Sequence, residues 1–380
     1  MAESTSTSIT ASTVAARRLQ SLGLAAPTGE DHAPFTEPVE VVRHHLAMQA
    51  QDWRASQWAI GSRMTPGATS ADVLAAYDRG EIVRSWPMRG TVHVAAAQDM
   101  PWMLDLLGTR ALRGVERRWE YLGISERVLE PAREVALQLL GGGRAASRAE
   151  FVEAIEQAGI DLGGQRAYHT VWYLAQTGTL VQGPTRDGEQ LLVLLDDWIP
   201  KPRRFADRDD ALAELGRRYL RAHAPARVED LMWWSSLGKR DCRAAFEAAA
   251  DEFVPVRMRD QELWVRREHA GEPAKLRSTM LALPAFDEHL LGYRVRDEVL
   301  DPAHAHLVDP GRNGVFRWTL VDRGRVVATW SRRRLTRSIV VDVSPFDALP
   351  PARRSAAVRA IERWGAFVGT PVDVRLPDAD

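Results

Sequence analysis

The sequence of 380 residues holds a single cysteine, Cys242. No intrachain disulfide can form, and cysteine-built zinc ribbons or iron–sulfur sites are excluded. Lysine is nearly as scarce: only Lys201, Lys239 and Lys275 stand among 50 basic residues, so 47 are arginine. A GC-rich genome accounts for that ratio without any function. Its consequence is the same either way, because every basic surface then presents guanidinium forks suited to phosphates and base edges. An excess of one charge sign is also missing, since the formal net charge is −1. No run of about 18 apolar residues exists, so no membrane-spanning helix is expected. The opening MAESTSTSITAST has neither the basic region nor the apolar core of a secretory signal. A cytoplasmic location is therefore expected. HExxH and GxSxG are absent, and GGGR at 141–144 follows no strand and precedes no Lys-Ser/Thr, so it is not read as a phosphate loop.

The composition is otherwise that of a folded protein, with 45% hydrophobic and 27% charged residues. Residues 1–13 are rich in Ser, Thr and Ala and are expected to be disordered. After them one pattern recurs three times: two or three short amphipathic helices, then two strands joined by a tight turn. The first copy spans 14–125. It has a helix with Ala15, Leu19 and Leu22 on one face, a second capped by Thr36 with Val39, Val42 and Leu46 aligned, a third begun by Asp52 and a fourth begun by Ser70. The hairpin EIVRSW–PMRG–TVHVA follows. The second copy, 126–200, has helices at 126–140, 147–158 (Ser147 as cap, Glu150 three residues on) and 165–176. Its hairpin turns at Asp187-Gly188. The third, 201–274, opens in the proline-rich joint IPKPRRF, after which come helices at 208–223, 227–235 and 238–250 and the hairpin EFVPVRM–RDQ–ELWVRRE. Helices followed by a hairpin make the winged-helix unit. Residues 275–380 read as a β-rich C-terminal domain with one covering helix at 351–367. The fold class expected is α+β.

Four stretches carry candidate chemistry. In Gln49-Ala50-Gln51-Asp52, a helix would splay the two glutamines by about 200°, whereas an extended segment points them the same way. Asp52 as the cap of the next helix makes 49–51 a joint, which is either a site with two convergent amides or a plain solvated connection. In Arg89-Gly90-Thr91-Val92-His93-Val94, alternation puts Thr91 and His93 on one face and Val92 and Val94 inward. That wing tip is either a DNA contact or an ordinary polar hairpin face. In LPAFDEHLLGYR, Asp287, Glu288 and His289 are acid–base candidates or a capped helix start. Finally, residues 311–341 carry eight arginines (312, 317, 323, 325, 332, 333, 334, 337) against Asp322, a local charge of +7. Such a patch attracts polyanions even on a neutral protein. Cys242 and the pairs His44-His45 and His304/His306 are read as packed, surface or helix-end residues, and no metal set is expected.

Taken together, LAMQAQDWRASQWAIG, RSWPMRGTVHV, and LPAFDEHLLGYR followed by NGVFRWTLVDRGRVVATW resemble the AlkZ-like DNA glycosylases. These are winged-helix proteins of actinobacteria, some giving self-resistance to DNA-crosslinking antibiotics. The resemblance covers roughly 14–376. It implies three tandem winged helices plus a β-domain in a C-shaped body around a channel for duplex DNA. It also implies a catalytic Gln–aliphatic–Gln motif, matched by Gln49-Ala50-Gln51. A YcaQ-like sister branch has Asp at the second position, where this chain has Gln51.

A purine alkylated at N7 is cationic and already a good leaving group, so two amides that orient a water suffice in principle. Asp52 and Asp287 are possible supports. Arg89, Thr91, His93, Arg323, Arg325, Arg332, Arg333 and Arg334 are candidate DNA contacts. Scarce lysine argues against Schiff-base chemistry. What the resemblance implies is therefore a monomeric, cofactor-free, monofunctional enzyme of base excision repair acting on bulky alkyl adducts or interstrand crosslinks. The competing expectations are a non-catalytic winged-helix regulator and an interaction scaffold.

Overall fold

The computed structural model describes residues 8–25, 35–272, 274, 276 and 280–377. They fall into two compact units: Met1–Met48, Asp52–Val73 and Ala213–Asp380 form the first, and Gln49–Gln51 with Leu74–Leu212 the second. These units divide the expected ranges 14–125 and 201–274, while 126–200 falls wholly in the second unit and 275–380 wholly in the first. The reason is pairing: the hairpins of the first two copies share one sheet.

That sheet has strands β1 (Ala47–Gln49), β2 (Ile82–Met88), β3 (Thr91–Ala96), β4 (Leu180–Arg186) and β5 (Glu189–Leu194), in the order β1-β3-β2-β4-β5. β2 pairs antiparallel with both β3 and β4, meeting β4 at Arg84 and Gln182. Both hairpins turn through two residues of positive φ, Arg89-Gly90 and Asp187-Gly188, which match the right-handed strand twist. Pro87 sits where the β2–β3 register slips between Ser85 and Met88, the place in a strand that tolerates a missing N–H. The helices Glu126–Leu140, Arg148–Gln157 and Arg166–Gln176 lie where periodicity puts them, and Ser147 and Glu150 cap reciprocally. In the GGGR turn, the Gly142 and Gly143 amides donate to Asp197 Oδ2 at 2.8 and 3.4 Å. An internal carboxylate thus occupies the nest.

In the first unit the chain is ordered earlier than expected. Thr10 caps a helix Ala11–Ser21, and the Ile9 amide bonds Arg257 O at 2.9 Å. The expected disorder of 1–13 therefore fails from Ser8 onward, and residues 1–7 lie outside the described ones. The cause is apolar cover: Val14 and Ile9 pack on Val256, Met258, Leu263 and Val265 of the third hairpin, β6 (Phe253–Met258) and β7 (Gln261–Arg266). Arg18 on that helix is fully buried, 3.2 Å from Glu298, 3.7 Å from Asp230 and 3.7 Å over the Tyr293 ring. Arg227 joins both carboxylates. Two guanidiniums against two carboxylates leave no net buried charge, and removing any one of the four would strand a charge in the interior.

The second helix begins at Pro38, not after Thr36, and it buries Val41, Val42 and His45. Val39 is only half-buried. The C-terminal sheet runs β12-β11-β10-β9-β8, from β8 (Met280–Leu283), β9 (Trp318–Asp322), β10 (Arg325–Arg334), β11 (Ile339–Pro345) and β12 (Val372–Arg375). β11 and β12 are parallel, the others antiparallel. The helix Pro351–Phe367 lies against it, and Trp364 meets Trp318 and Trp330 edge to face. No helix among the described residues is long and apolar enough to cross a membrane.

Candidate active site

The helix Pro38–His45 ends abruptly. Leu46, fully buried, has φ 66° and ψ −54°. A leucine there is strained by about 1–3 kcal/mol, and packing must hold it. The strain turns the chain from helix into β1 within one residue, and β1 ends on Gln49.

Ala50 is the fixed point of the motif. Its N–H donates to Val92 O at 2.8 Å, and its carbonyl accepts from Arg84 Nη2 at 2.6 Å. Its methyl is fully buried. Gln49 is half-buried with Oε1 shielded from solvent, and Gln51 is exposed. Asp52 then caps the helix Trp53–Gly61, Oδ1 accepting from the Arg54 and Ala55 amides at 3.0 Å each. The structure thus places Gln49 at the end of β1 and Gln51 at a bend, in the joint between a strained helix end and a capped helix start. Asp52 is tied to that cap, and its Oδ2 lies 3.9 Å from Arg332 Nη2.

Arg332 stacks 3.8 Å over the Trp318 ring. Burial lowers its pKa, and Asp52 opposes the shift. Arg332, Arg333 and Arg334 sit where β10 runs past β9 and pairs only with β11. Arg323 and Arg325 lie at the other end of β10, Arg323 in the β9–β10 turn. Seven residue steps of strand separate Arg325 from Arg332, roughly 23 Å at 3.3 Å per residue. The +7 stretch is therefore not one patch but two ends of a sheet. Arg333 and Arg334 are exposed, and Arg325 faces Asp301 at 4.0 Å.

Two other groups of candidates need correction. His93 does not share an outer face with Thr91. It is fully buried, its Nδ1 2.9 Å from Thr91 O and its Nε2 3.0 Å from Arg89 Nη2. Burial, reinforced by Arg89, holds its pKa well below the ordinary value. A neutral, enclosed imidazole cannot reach a phosphate. Instead it orients the half-buried Arg89, while Thr91 opens β3 half-buried. Alternation failed because this strand is interior to a five-stranded sheet and is covered on both faces.

Asp287 caps the short helix Glu288–Leu291 and grips Arg63 through two 2.8 Å bonds. Burial works to raise its pKa, and the Arg63 guanidinium overrides that, leaving the carboxyl below its ordinary range. Glu288 accepts from Trp234 Nε1 at 3.0 Å and meets His223 at 3.2 Å. His289 is buried, with its pKa lowered to about 4 by burial. These residues build the first unit's interior rather than an acid–base pair. His45 belongs to the same interior, buried beside Arg63 rather than at the surface, whereas His304 and His306 lie at it. Among the described residues no group of three His, Cys, Asp or Glu is placed to hold a metal ion.

A model of the family described as DNA glycosylase AlkZ-like matches residues 42–367, from the helix before the glutamines to the helix that closes the C-terminal sheet. The chain belongs to the AlkZ-like DNA glycosylases. It is 27% identical over 371 residues to the interstrand DNA cross-link repair glycosylase of Streptomyces sahachiroi, covering 90% of this chain and 94% of that one. The solved structure of Streptomyces sahachiroi DNA glycosylase AlkZ superposes with a TM-score of 0.76 at 24% identity, over 97% of this chain and all of that one. The shared fold is thus mixed α/β across nearly the whole length, and membership makes this protein a DNA glycosylase.

Within an AlkZ-like enzyme, the residue that sequence reasoning passed over is Arg84. The signal was present: an arginine in the middle of a strand whose residues are all buried must find an acceptor inside. What sequence could not supply was the acceptor, 34 residues away at Ala50.

Proposed function

We propose that the protein is a monofunctional DNA glycosylase that hydrolyses the N-glycosidic bond of cationic N7-alkylated purines, with Gln49 and Gln51 as the catalytic pair. The observation that carries this reading is the doubly pinned Ala50, which fixes the joint with a glutamine on either side. With that joint extended, alternation brings the two amides to one side. Their carbonyl oxygens orient a water toward C1′ of the deoxyribose. The water oxygen bonds to C1′ as the C1′–N9 bond breaks. The bonding pair goes to the base, which leaves neutral, and the water's proton passes to bulk solvent. The charge already on the base replaces a general acid, and the amide dipoles stabilise the oxocarbenium character of the sugar. An amide takes no proton as a carboxylate does, so neutral damaged bases are poor substrates. Asp52 supports the site as the cap that ends the joint after Gln51.

The helix–hairpin sets read as three winged-helix units, 14–125, 126–200 and 201–274, with 275–380 as the β-rich domain. Arg332, Arg333 and Arg334 on the β10–β11 end of the first unit, and Arg89 and Thr91 on the first hairpin in the second, hold phosphates of the duplex with little sequence preference. Arg323 and Arg325 contribute at the far end of the sheet. The name of the Streptomyces sahachiroi relative supports unhooking of interstrand crosslinks, and the proposal extends this to self-resistance against a DNA-alkylating natural product. An open channel rather than a tight flipping pocket suits so bulky a lesion.

The test is a duplex carrying one N7-methylguanine, incubated with enzyme and then heated in alkali to cut abasic sites. Strand breaks that need the alkali step are expected, with none from a duplex carrying a neutral damaged base. Breaks without alkali would contradict the monofunctional mechanism. Salt-sensitive binding with no base release would favour the regulator.

A further inference from the structure

We propose that Arg84 is a positioning residue for the glutamine pair, acting through the Ala50 carbonyl as the last link of a hydrogen-bond relay that starts in β4. The inference rests on the reading of Gln49 and Gln51 as catalytic and adds the element that holds them. Two peptide planes flank Ala50. The Gln49–Ala50 plane is fixed by the main chain of β3 through Val92 O. The Ala50–Gln51 plane, which decides where the exposed Gln51 side chain starts, is fixed by a side chain: Arg84 Nη2 on Ala50 O at 2.6 Å.

Arg84 itself is held. It is buried at the centre of β2, paired with Val94 on β3 and Gln182 on β4. Its Nη1 donates to Gln190 Oε1 on β5, and Gln190 Nε2 donates in turn to Gly183 O at 3.2 Å, where the β4–β5 register slips. The relay runs from Gly183 to Gln190, Arg84 and Ala50. All of it lies in one compact unit. Only a guanidinium presents donors in a rigid fork that spans both acceptors. An ammonium in the same place is a point charge that satisfies one acceptor well and the other poorly. Buried to that degree, Arg84 does not hold a phosphate, so its effect belongs to the chemical step and not to duplex affinity.

The test uses the full-length enzyme and the duplex with one N7-methylguanine. Single-turnover base release, duplex dissociation constant and melting temperature are measured for Arg84→Ala, Arg84→Lys and Gln190→Ala, with Gln49→Ala and Gln51→Ala alongside. A misplacement of about 1 Å costs on the order of 100-fold in rate. The expected result for Arg84→Ala is therefore a fall of about 10- to 100-fold in single-turnover rate, with the dissociation constant unchanged within about twofold. Added guanidinium should restore part of the rate, and Arg84→Lys should stay well below wild type.

If Arg84→Ala does not fold, Gln190→Ala decides. Gln190 is half-buried, and its loss should lower the rate several-fold without changing affinity. A wild-type rate in folded Arg84→Ala, or in Gln190→Ala when the former does not fold, overturns the relay while the glutamine variants still lose activity. A loss of rate that guanidinium leaves unchanged, accompanied by a matching loss of melting temperature, also overturns it in favour of a purely structural role. Undiminished base release by the glutamine variants defeats the underlying reading instead.

Discussion

Asp287→Asn separates a structural carboxylate from a catalytic one. The substitution keeps the shape and the cap, since the asparagine oxygen still accepts the His289 amide that Asp287 Oδ1 holds at 2.9 Å. What it removes is the charge facing Arg63, which is fully buried. Leaving a buried guanidinium uncompensated costs about 3–5 kcal/mol, and the remaining amide oxygen puts this case near the lower end. For a unit of this size, about 3 kcal/mol lowers the melting temperature by roughly 6–12 °C. The pH dependence has a definite sign. Arg63 holds the folded-state pKa of Asp287 below its unfolded value, so the stabilisation is present above the unfolded pKa and is lost as pH falls through the folded one. The asparagine variant therefore loses that part of its acid sensitivity. Differential scanning calorimetry across pH measures both effects, and single-turnover base release at a temperature where the variant is folded measures the chemistry. A melting temperature within about 1 °C of wild type, or abolished base release by fully folded variant, refutes the assignment of Asp287 to the interior.

Two further expectations concern charge. Arg333→Ala and Arg334→Ala should each weaken duplex binding about equally on all sequences and reduce the slope of log K against log salt by about 1, read by fluorescence anisotropy over a salt series. An unchanged slope in both would remove the β10–β11 end from the DNA contact. Burial lowers the folded-state pKa of His44 and His289 to about 4, against an ordinary 6.5. Folding thus requires the neutral rings, and the melting temperature should fall progressively as pH drops from 6.5 toward 4; a flat profile over that interval contradicts their burial as neutral groups.

How much of this was legible in the sequence follows from how local each signal is. Caps and turns were readable because they depend on neighbours: Ser147 with Glu150, Asp52 ahead of Trp53, and Asp187-Gly188 all stand where expected. The helix Pro351–Phe367 stands at the bounds expected for it. Illegible was everything set by partners distant in sequence. The joining of two hairpins into one sheet buried both faces of β3 and took His93 inside. The docking of Ile9 and Val14 on the third hairpin ordered a segment whose composition reads as disordered. Asp287 looked like a reactive carboxylate because Arg63, 224 positions away, is invisible to spacing. The glutamines stand, as expected, in a joint just before the Asp52 cap, but neither the strained Leu46 ahead of it nor the Arg84 clamp has a local signature.

The account stands on Gln49 and Gln51 acting together on a cationic lesion. The most direct measurement is single-turnover release of 7-methylguanine from duplex DNA by Gln49→Ala and Gln51→Ala, with circular dichroism to establish folding. The account predicts a loss of about 100-fold or more in each, comparable to removing a transition-state hydrogen-bonding group, and unchanged duplex affinity. Base release at the wild-type rate by either folded variant would contradict it.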